Sequence, residues 1–281
     1  MRPIALALLL SSLLAGCAFA ADVDLSGFDK VLLPLDPTIR VAGANGAQFE
    51  TVLRIAPSGP IRFYPSGLNT VDSSIGTFAP GPLQPGSNIA PQIPASASGR
   101  LLFIEKGKYD DLHPQFWMVT RPADTADYQS LWTSIPIVRE RDFRTGTIVF
   151  PQVESPWVYL DPEAVVRTPY AQFRYLLRLY DVDNRGDVEV RVKVDDLQFL
   201  TPVPHSEQVV KLNTRRGTDA SQPYVAELPI EPLCHPFSSH TPCANATMRI
   251  TIEPLTPGAR YWAMLSLTNN FTQDVTLFWP Q

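Results

Sequence analysis

The most constraining feature of this chain is a strict two-residue alternation of apolar and charged side chains. It is clearest in residues 188–194, where four valines alternate with Glu189, Arg191 and Lys193. Successive side chains of a β-strand point to opposite faces, so this run predicts a strand with one buried and one solvated face. No long stretch has the apolar spacing of a helix, and the 28 prolines disfavour helices further. The chain is therefore expected to be all-β.

Short apolar or alternating runs predict the other strands, because turn residues bound each of them at close intervals. The segment 181–187, rich in Asp, Asn and Gly, is predicted to be a hairpin loop between two strands. Besides 188–194, strands are predicted at 30–33, 49–55, 61–64, 101–104, 116–120, 135–138, 147–150, 175–179, 224–228, 248–252, 261–267 and 275–278.

Two proline-rich interruptions suggest how the strands are grouped. Residues 65–99 are rich in Pro, Gly and Ser and predict a long loop, and residues 151–170 resemble an interdomain passage. We therefore expect two antiparallel β-sandwich domains in tandem, spanning 27–170 and 171–281. A single larger sandwich is the alternative, since all-β domains can run to about 200 residues or more.

The N-terminus has the pattern of an export signal, in which Arg2 precedes an apolar run too short to span a bilayer. Residues 14–17 (Leu-Ala-Gly-Cys) resemble a bacterial lipobox, which predicts a signal peptide 1–16 and lipidation of Cys17. The protein would then be anchored to the cell envelope, in the outer membrane if the cell is Gram-negative. The rival site, Ala-Phe-Ala at 18–20, fits ordinary cleavage and predicts a soluble periplasmic or secreted protein.

Charge and cysteine content narrow the possible partners. The formal net charge is −5. A chain without an excess of basic residues does not attract the negatively charged phosphates of nucleic acid, so no nucleic-acid partner is expected. Once Cys17 is lipidated or removed, Cys234 and Cys243 remain, and in an oxidising compartment an even pair predicts a disulfide. A zinc site that adds His235 and His240 is the alternative, but four ligands would crowd one short loop. We expect no metal and no other cofactor.

Catalytic signatures are weak in this sequence. The acidic segment 181–187 loosely matches a calcium loop, but Arg185 and Val192 occupy positions that need ligands. There is no Gly-x-Ser-x-Gly elbow, and His113 and His205 lie beside prolines in predicted turns. A glycoside hydrolase would need two carboxylates about 5–10 Å apart across a cleft. Candidates are Glu105, Asp110, Asp111, Glu140, Asp142 and Glu154.

Aromatic residues are the best candidates for binding. Trp157 and Tyr159 are two residues apart, so on a strand they would share a face and could stack on sugar rings. Trp117 follows Phe116, and these neighbours should point to opposite faces, which would leave one of them exposed. Burial in a sandwich core is the alternative for all of these side chains.

Four strand-like stretches carry a resemblance to exported β-sandwich proteins of environmental bacteria: residues 46–55 (GAQFETVLRI), 135–140 (IPIVRE), 173–180 (FRYLLRLY) and 261–270 (YWAMLSLTNN). The resemblance implies that both sandwiches are immunoglobulin-like, and it supplies no catalytic residues. We expect a non-catalytic envelope protein that binds or spaces a protein or glycan partner through exposed aromatics or an unpaired edge strand. The alternative is a hydrolase of extracellular carbohydrate, with its site between the domains beneath 65–99.

The intact mass of the mature protein will distinguish the two cleavage sites. We expect an acylated chain that begins at Cys17, and a Cys17→Ala variant that is released from the membrane fraction because it lacks the buried acyl chains. A wild-type mass that begins at Ala21 without lipid would contradict anchoring.

Overall fold

The computed structural model describes residues 26–35, 40–42, 48–54, 63–64, 99–121, 131–154, 173–198, 201–214, 222–230, 233, 247–269 and 275–281. Most of the long loop predicted at 65–99 lies outside these ranges. Within them the chain forms β-strands, short 3-10 turns at Asp110–Leu112 and Glu140–Asp142, and no α-helix. The all-β prediction is therefore confirmed. In the same ranges, no helix is long and apolar enough to cross a membrane.

The first eight described strands form two antiparallel sheets around one core. Sheet A has the order β4-β5-β1-β8 and sheet B the order β2-β3-β6-β7. Their apolar side chains meet in a first core that includes Leu32, Phe103, Leu53 and Phe116. The strands are β1 (Phe28–Leu33), β2 (Arg40–Ala42), β3 (Gln48–Arg54), β4 (Phe63–Tyr64), β5 (Arg100–Glu105), β6 (Gln115–Arg121), β7 (Leu131–Ile135) and β8 (Val138–Arg139).

The next eight described strands form two further antiparallel sheets around a second core. Sheet C has the order β13-β10-β15-β16 and sheet D the order β12-β11-β14-β9. Strand β9 precedes residue 170 and pairs with β14, which follows it. The strands are β9 (Ile148–Glu154), β10 (Phe173–Asp181), β11 (Val188–Asp196), β12 (Val203–Leu212), β13 (Tyr224–Ile230), β14 (Thr247–Pro254), β15 (Tyr261–Asn269) and β16 (Val275–Phe278).

The alternation at 188–194 has the predicted structural consequence. In β11 every second residue is buried and the residues between them are half-buried. The four valines lie in the second core, whereas Glu189, Arg191 and Lys193 form ion pairs on the outer face of sheet D. The two-residue period therefore places the charged side chains on one side of the sheet and the apolar side chains on the other.

Sheet C contributes side chains to both cores, and its strand β15 is buried on both faces from Tyr261 to Leu267. In β15, Ala263 and Leu265 face the second core, while Trp262 and Met264 belong to the first. Burial on both faces explains why β15 is a nearly continuous apolar run rather than an alternating one. We call sheets A and B with the first core the first unit, and sheets C and D with the second core the second unit; sheet C joins the two.

Tyr180 on β10 is the central side chain of this junction. It is fully buried in the first core, and its hydroxyl donates a hydrogen bond to the carbonyl of Pro34, just after β1. Burial raises the pKa of Tyr180 well above its usual range, so the hydroxyl keeps its proton. Gly99 leaves room for the ring, because a Cβ atom there would lie 2.6 Å from Cε1 of Tyr180 and 3.1 Å from the Leu33 carbonyl oxygen.

Several details of the sequence prediction were wrong. Residues 135–138 were predicted as one strand, but Pro136 and Ile137 separate β7 in sheet B from β8 in sheet A. Proline lacks the N–H that a ladder needs, so the chain can leave one sheet there and enter another. The segment 181–187 is not a hairpin loop, because it connects β10 in sheet C with β11 in sheet D. Strands β2 and β12 and most of β7 were not predicted.

A methyl group at Gly99 should disturb the junction. We expect Gly99→Ala to lower the free energy of unfolding by about 1–3 kcal/mol, because the added atom overpacks a buried contact. Gly146→Ala is the matched control, since a Cβ atom there has no neighbour within 4 Å. Urea denaturation should show a change of at most about 0.5 kcal/mol for the control, and equal effects of the two variants would contradict the close contact with Tyr180.

Candidate functional site

Strand β12 forms one edge of sheet D and is ten residues long, the longest strand described. It pairs with β11 on one side, and no other described strand pairs with its outer side. Its first seven residues, 203–209, are all exposed. Val209 is 57% exposed and Val203 is 42% exposed. A long edge strand whose outer side pairs with no described strand is a template for another strand, and natural proteins usually shield such edges.

The other described edges of sheets C and D are covered, interrupted or short. The backbone N–H of Gln281 donates to the carbonyl of Val149 over 2.8 Å, so the C-terminus covers part of the β9 edge. Strand β13 contains Pro229, which cannot donate to a ladder. Strand β16 has only four residues. By comparison, β12 offers the longest pairing edge in the second unit.

A β-bulge shapes the beginning of β12. Val194 of β11 is opposite Ser206 and Asp195 is opposite Pro204, so His205 is the extra residue on the bulged strand. The expectation that His205 lies in a turn was therefore wrong. Pro204 and the bulge make the first part of the strand irregular, whereas the register from Ser206 to Leu212 is continuous.

Charged side chains on the outer face of sheet D continue as far as the β12 edge. Arg191 Nε lies 3.1 Å from a carboxylate oxygen of Glu207, and Lys211 Nζ lies 3.9 Å from one of Glu189. Lys193 Nζ is 2.7 Å from Glu253 in the interior of the same sheet. The side chains of Glu207 and Lys211 are 58% and 49% exposed. Both charges are exposed at the edge, and exposed ion pairs of this kind contribute little to stability.

A small pocket opens on the inner side of this edge. It has a volume of about 210 Å³ and is lined by Val194, His205, Ser206, Gln208, Pro229 and Ile230. Ligand pockets usually span about 300–1,000 Å³. The pocket is therefore too small for a typical ligand, and no carboxylate lines it.

The structure places only one of the three predicted binding aromatics. Trp157 and Tyr159 lie outside the described residues. Trp117 is half-buried on β6, and Phe116 is buried on the opposite face as expected. The ring centroid of Trp117 is 6.2 Å from that of Trp132, with the planes at 76°. The two rings therefore do not lie in one plane.

The structure does not test the predictions made for the cysteines. Cys17, Cys234 and Cys243 lie outside the described residues, so lipidation and the disulfide have no support from the structure and stay predictions. Among the residues that the structure describes, no group of three or more His, Cys, Asp or Glu side chains could hold a metal ion.

The acidic segment 181–187 is a structural connector rather than a solvated loop. Asp181 is buried and accepts the backbone N–H groups of Asp183 and Gly186 over 3.1 and 2.7 Å. Desolvation raises the pKa of Asp181 and outweighs these hydrogen bonds, which act in the opposite direction. Asp187 pairs with Arg185 at the surface. Asp181 and Asp187 therefore have different partners, and their carboxylates do not converge on a cation site.

A four-residue ion network lies at the junction of the two units. Arg260 donates two hydrogen bonds to Asp183, over 2.9 and 2.6 Å, and one to Glu140 over 2.8 Å. Lys30 Nζ lies 3.0 Å from Asp183 and also donates to the carbonyl of Val182. Partial burial alone would raise the pKa values of Asp183 and Glu140. Hydrogen bonds to Arg260 and Lys30 outweigh that effect and hold both pKa values below their usual range.

This network bears on the hydrolase alternative. A general acid in glycoside hydrolysis needs a raised pKa, whereas Glu140 is held ionised by Arg260. Asp110 lies 3.5 Å from Arg139, and Asp111 lies 3.0 Å from Lys108. These three candidate carboxylates are therefore engaged in ion pairs, and most residues of the predicted covering loop lie outside the described residues.

The chain matches no protein-family model, no curated protein and no solved structure.

Sequence reasoning missed the functional candidate, which is β12 with Glu207, Val209 and Lys211. The run Val-Pro-His-Ser-Glu-Gln-Val-Val-Lys-Leu has neither alternation nor a continuous apolar stretch. The one available signal was the adjacent pair Val209-Val210 between polar and charged residues, which is compatible with an edge strand. The side chain of Trp132, exposed beside Trp117, was also not singled out.

Removal of Arg260 should destabilise the protein in a pH-dependent way. We expect Arg260→Ala to lower the free energy of unfolding at neutral pH by about 1–3 kcal/mol, because partly buried carboxylates lose their hydrogen bonds. Carboxylates with lowered pKa values stabilise the fold above their unfolded pKa of about 4, and this contribution is lost as the pH falls. The difference from wild type should therefore shrink in urea titrations from about pH 7 to about pH 3.

Arg185→Ala is the matched control, because it breaks an exposed ion pair of the same connector. Exposed pairs contribute about 0–1 kcal/mol, so this variant should differ little from wild type at any pH. A pH-independent effect of Arg260→Ala would contradict the electrostatic role of the network.

Proposed function

We propose that this protein is a non-catalytic binding module of the bacterial cell envelope, exported and anchored through Cys17, which binds a protein partner by β-strand addition at β12. In this mode an extended segment of the partner pairs with an exposed sheet edge. Main-chain hydrogen bonds supply affinity, and alternate side chains supply specificity.

The observation that carries this proposal is the exposure of β12. A ten-residue strand at the edge of a four-stranded sheet keeps seven successive residues exposed. Strands average about 5–6 residues, so this edge is unusually long. An exposed edge of this length favours aggregation unless a specific partner covers it.

Edge protection is the main competing explanation for the features of β12. Pro204, the bulge at His205 and the charge of Lys211 are all devices that discourage pairing. The first two lie at the beginning of the strand and leave 206–212 in regular register. A charge such as Lys211 repels a strand with like charge, but it selects one that carries an opposite charge at the facing position.

We further infer that the second unit is immunoglobulin-like. Its β10–β13 and β11–β14 pairs correspond to the B–E and C–F pairs of that fold. The arrangement differs from the immunoglobulin fold at β15, which pairs with β10 in sheet C instead of extending the sheet that contains β14. Loops at the ends of sandwiches of this class serve recognition in some members, which agrees with a binding role.

Site-specific photo-crosslinking in producing cells tests the proposed function. A benzophenone amino acid in place of Val209 should give a covalent adduct with a protein, because a partner strand would lie against that side chain. The matched control replaces Trp279, which is 51% exposed near the C-terminus that covers the β9 edge. No adduct at position 209, or equal adducts at both positions, would contradict strand addition at β12.

A further inference from the structure

We propose that the strand added at β12 is β12 of a second copy of this chain, paired antiparallel about a two-fold axis through Val209. This inference rests on the proposed function and names the partner of the same edge. It would join two copies of sheet D into one continuous eight-stranded sheet, with the backbone groups of both edges satisfied by each other.

The register follows from the charges of β12. Glu207 and Lys211 lie two residues on either side of Val209. A two-fold axis at Val209 therefore places Glu207 opposite Lys211 of the second copy, and Lys211 opposite Glu207. Val209, which is 57% exposed in one copy, would contact its own equivalent. Opposite charges and branched apolar residues are the favourable cross-strand pairs of antiparallel sheets.

The same register extends an existing ladder of alternating charges. Lys193 is opposite Glu207 in the β11–β12 pair, and Glu189 is opposite Lys211. Across the proposed interface the outer face would read Lys193, Glu207, then Lys211 and Glu189 of the second copy. Every neighbouring pair in this row has opposite sign, and the row occurs twice because of the two-fold symmetry. This complementarity favours a second copy over an unrelated strand.

Other self-pairing registers lack this complementarity. A shift by two residues places Glu207 or Lys211 opposite Val209. A shift by four residues places Glu207 opposite its own equivalent, or Lys211 opposite its own, and like charges in direct opposition are destabilising. A shift by one residue turns the second sheet over, so that outer-face charges would meet inner-face residues. One register alone pairs both charges favourably.

The edge-protecting features do not obstruct this arrangement. The proposed register pairs Ser206 with Leu212 of the second copy, so the paired span is 206–212. Pro204 and the bulged His205 lie outside it, at both ends of the interface. They would limit the pairing to this span and prevent the strands from sliding further.

Charge reversal at the two positions gives a decisive test by sedimentation velocity of the purified mature protein. We expect wild type at micromolar concentration to sediment with about twice the mass of one chain. Glu207→Lys and Lys211→Glu should each weaken self-association about tenfold or more, because each brings like charges together at two symmetric places. An equimolar mixture of the two variants should form a dimer again. In the mixed pair one chain carries a lysine at both positions and the other a glutamate at both, so both facing pairs across the interface again have opposite charge.

Glu154→Lys is the matched control, because it makes the same charge change on β9, the opposite edge of sheet D. It should remain a dimer. The mixing experiment also controls for folding, since misfolded single variants would not restore a dimer. A monomeric wild type, single variants that dimerise like wild type, or a mixture that stays monomeric would each overturn the proposed self-pairing.

The crosslinked adduct at position 209 separates this inference from the proposed function. An adduct with twice the mass of the chain supports self-pairing. An adduct of another mass, together with a monomeric wild type, would overturn self-pairing and leave strand addition to a different protein.

Discussion

The two-sided burial of β15 and of the end of β10 in sheet C is the constraint on which the rest of the structure depends. Its strands give alternate side chains to two cores, so Tyr180 and Trp262 pack with the first unit while Leu179 and Ala263 pack with the second. A sheet with both faces buried cannot slip by one residue without exchanging its two sets of side chains. The register of sheet C is therefore specified by both units at once. The hydrogen bond from Tyr180 to Pro34 and the ion network of Arg260 stabilise the same junction from within the core and from its rim.

This constraint bears on where we propose that a partner binds. The exposed surface of the second unit includes the outer face and edges of sheet D, together with Glu227 and Pro229 on β13 of sheet C. The outer face carries ion pairs between neighbouring strands, such as Lys193 with Glu253, and such a surface is well hydrated and weakly adhesive. The edge at β12 is different, because its backbone N–H and C=O groups are strong hydrogen-bonding groups held in the geometry of a strand. We therefore infer that the proposed binding uses an edge rather than a cleft.

Whether a strand can be predicted from the sequence depends on which of its two faces are exposed to water. Strand β11 was predicted because one face is buried and the other solvated, which produces alternation. Residues 101–104 were predicted as a strand because all are apolar, but the sequence does not say which layers cover them. Strand β12 is exposed on both faces along 203–209, so no hydrophobic pattern marks it. The exposure that makes β12 a candidate site is therefore also the reason why the sequence did not predict it. The passage of the chain from sheet B to sheet A at Pro136 could not be predicted either, because it depends on contacts between residues that are distant in the sequence.

The specificity of the β12 edge must come from side chains rather than from the backbone. Any extended segment could form the same main-chain hydrogen bonds, each with a net contribution of about 0.5–1.5 kcal/mol, because unpaired groups are already bonded to water. Discrimination between segments then depends on the residues that face Glu207, Val209 and Lys211. A facing segment needs a cation, a small apolar residue and an anion at alternate positions, and read in the antiparallel direction β12 itself has this order. Like charges at those positions would exclude most other strands. The same three residues can therefore disfavour like-charged strands at the edge and favour a segment with the complementary order of charges.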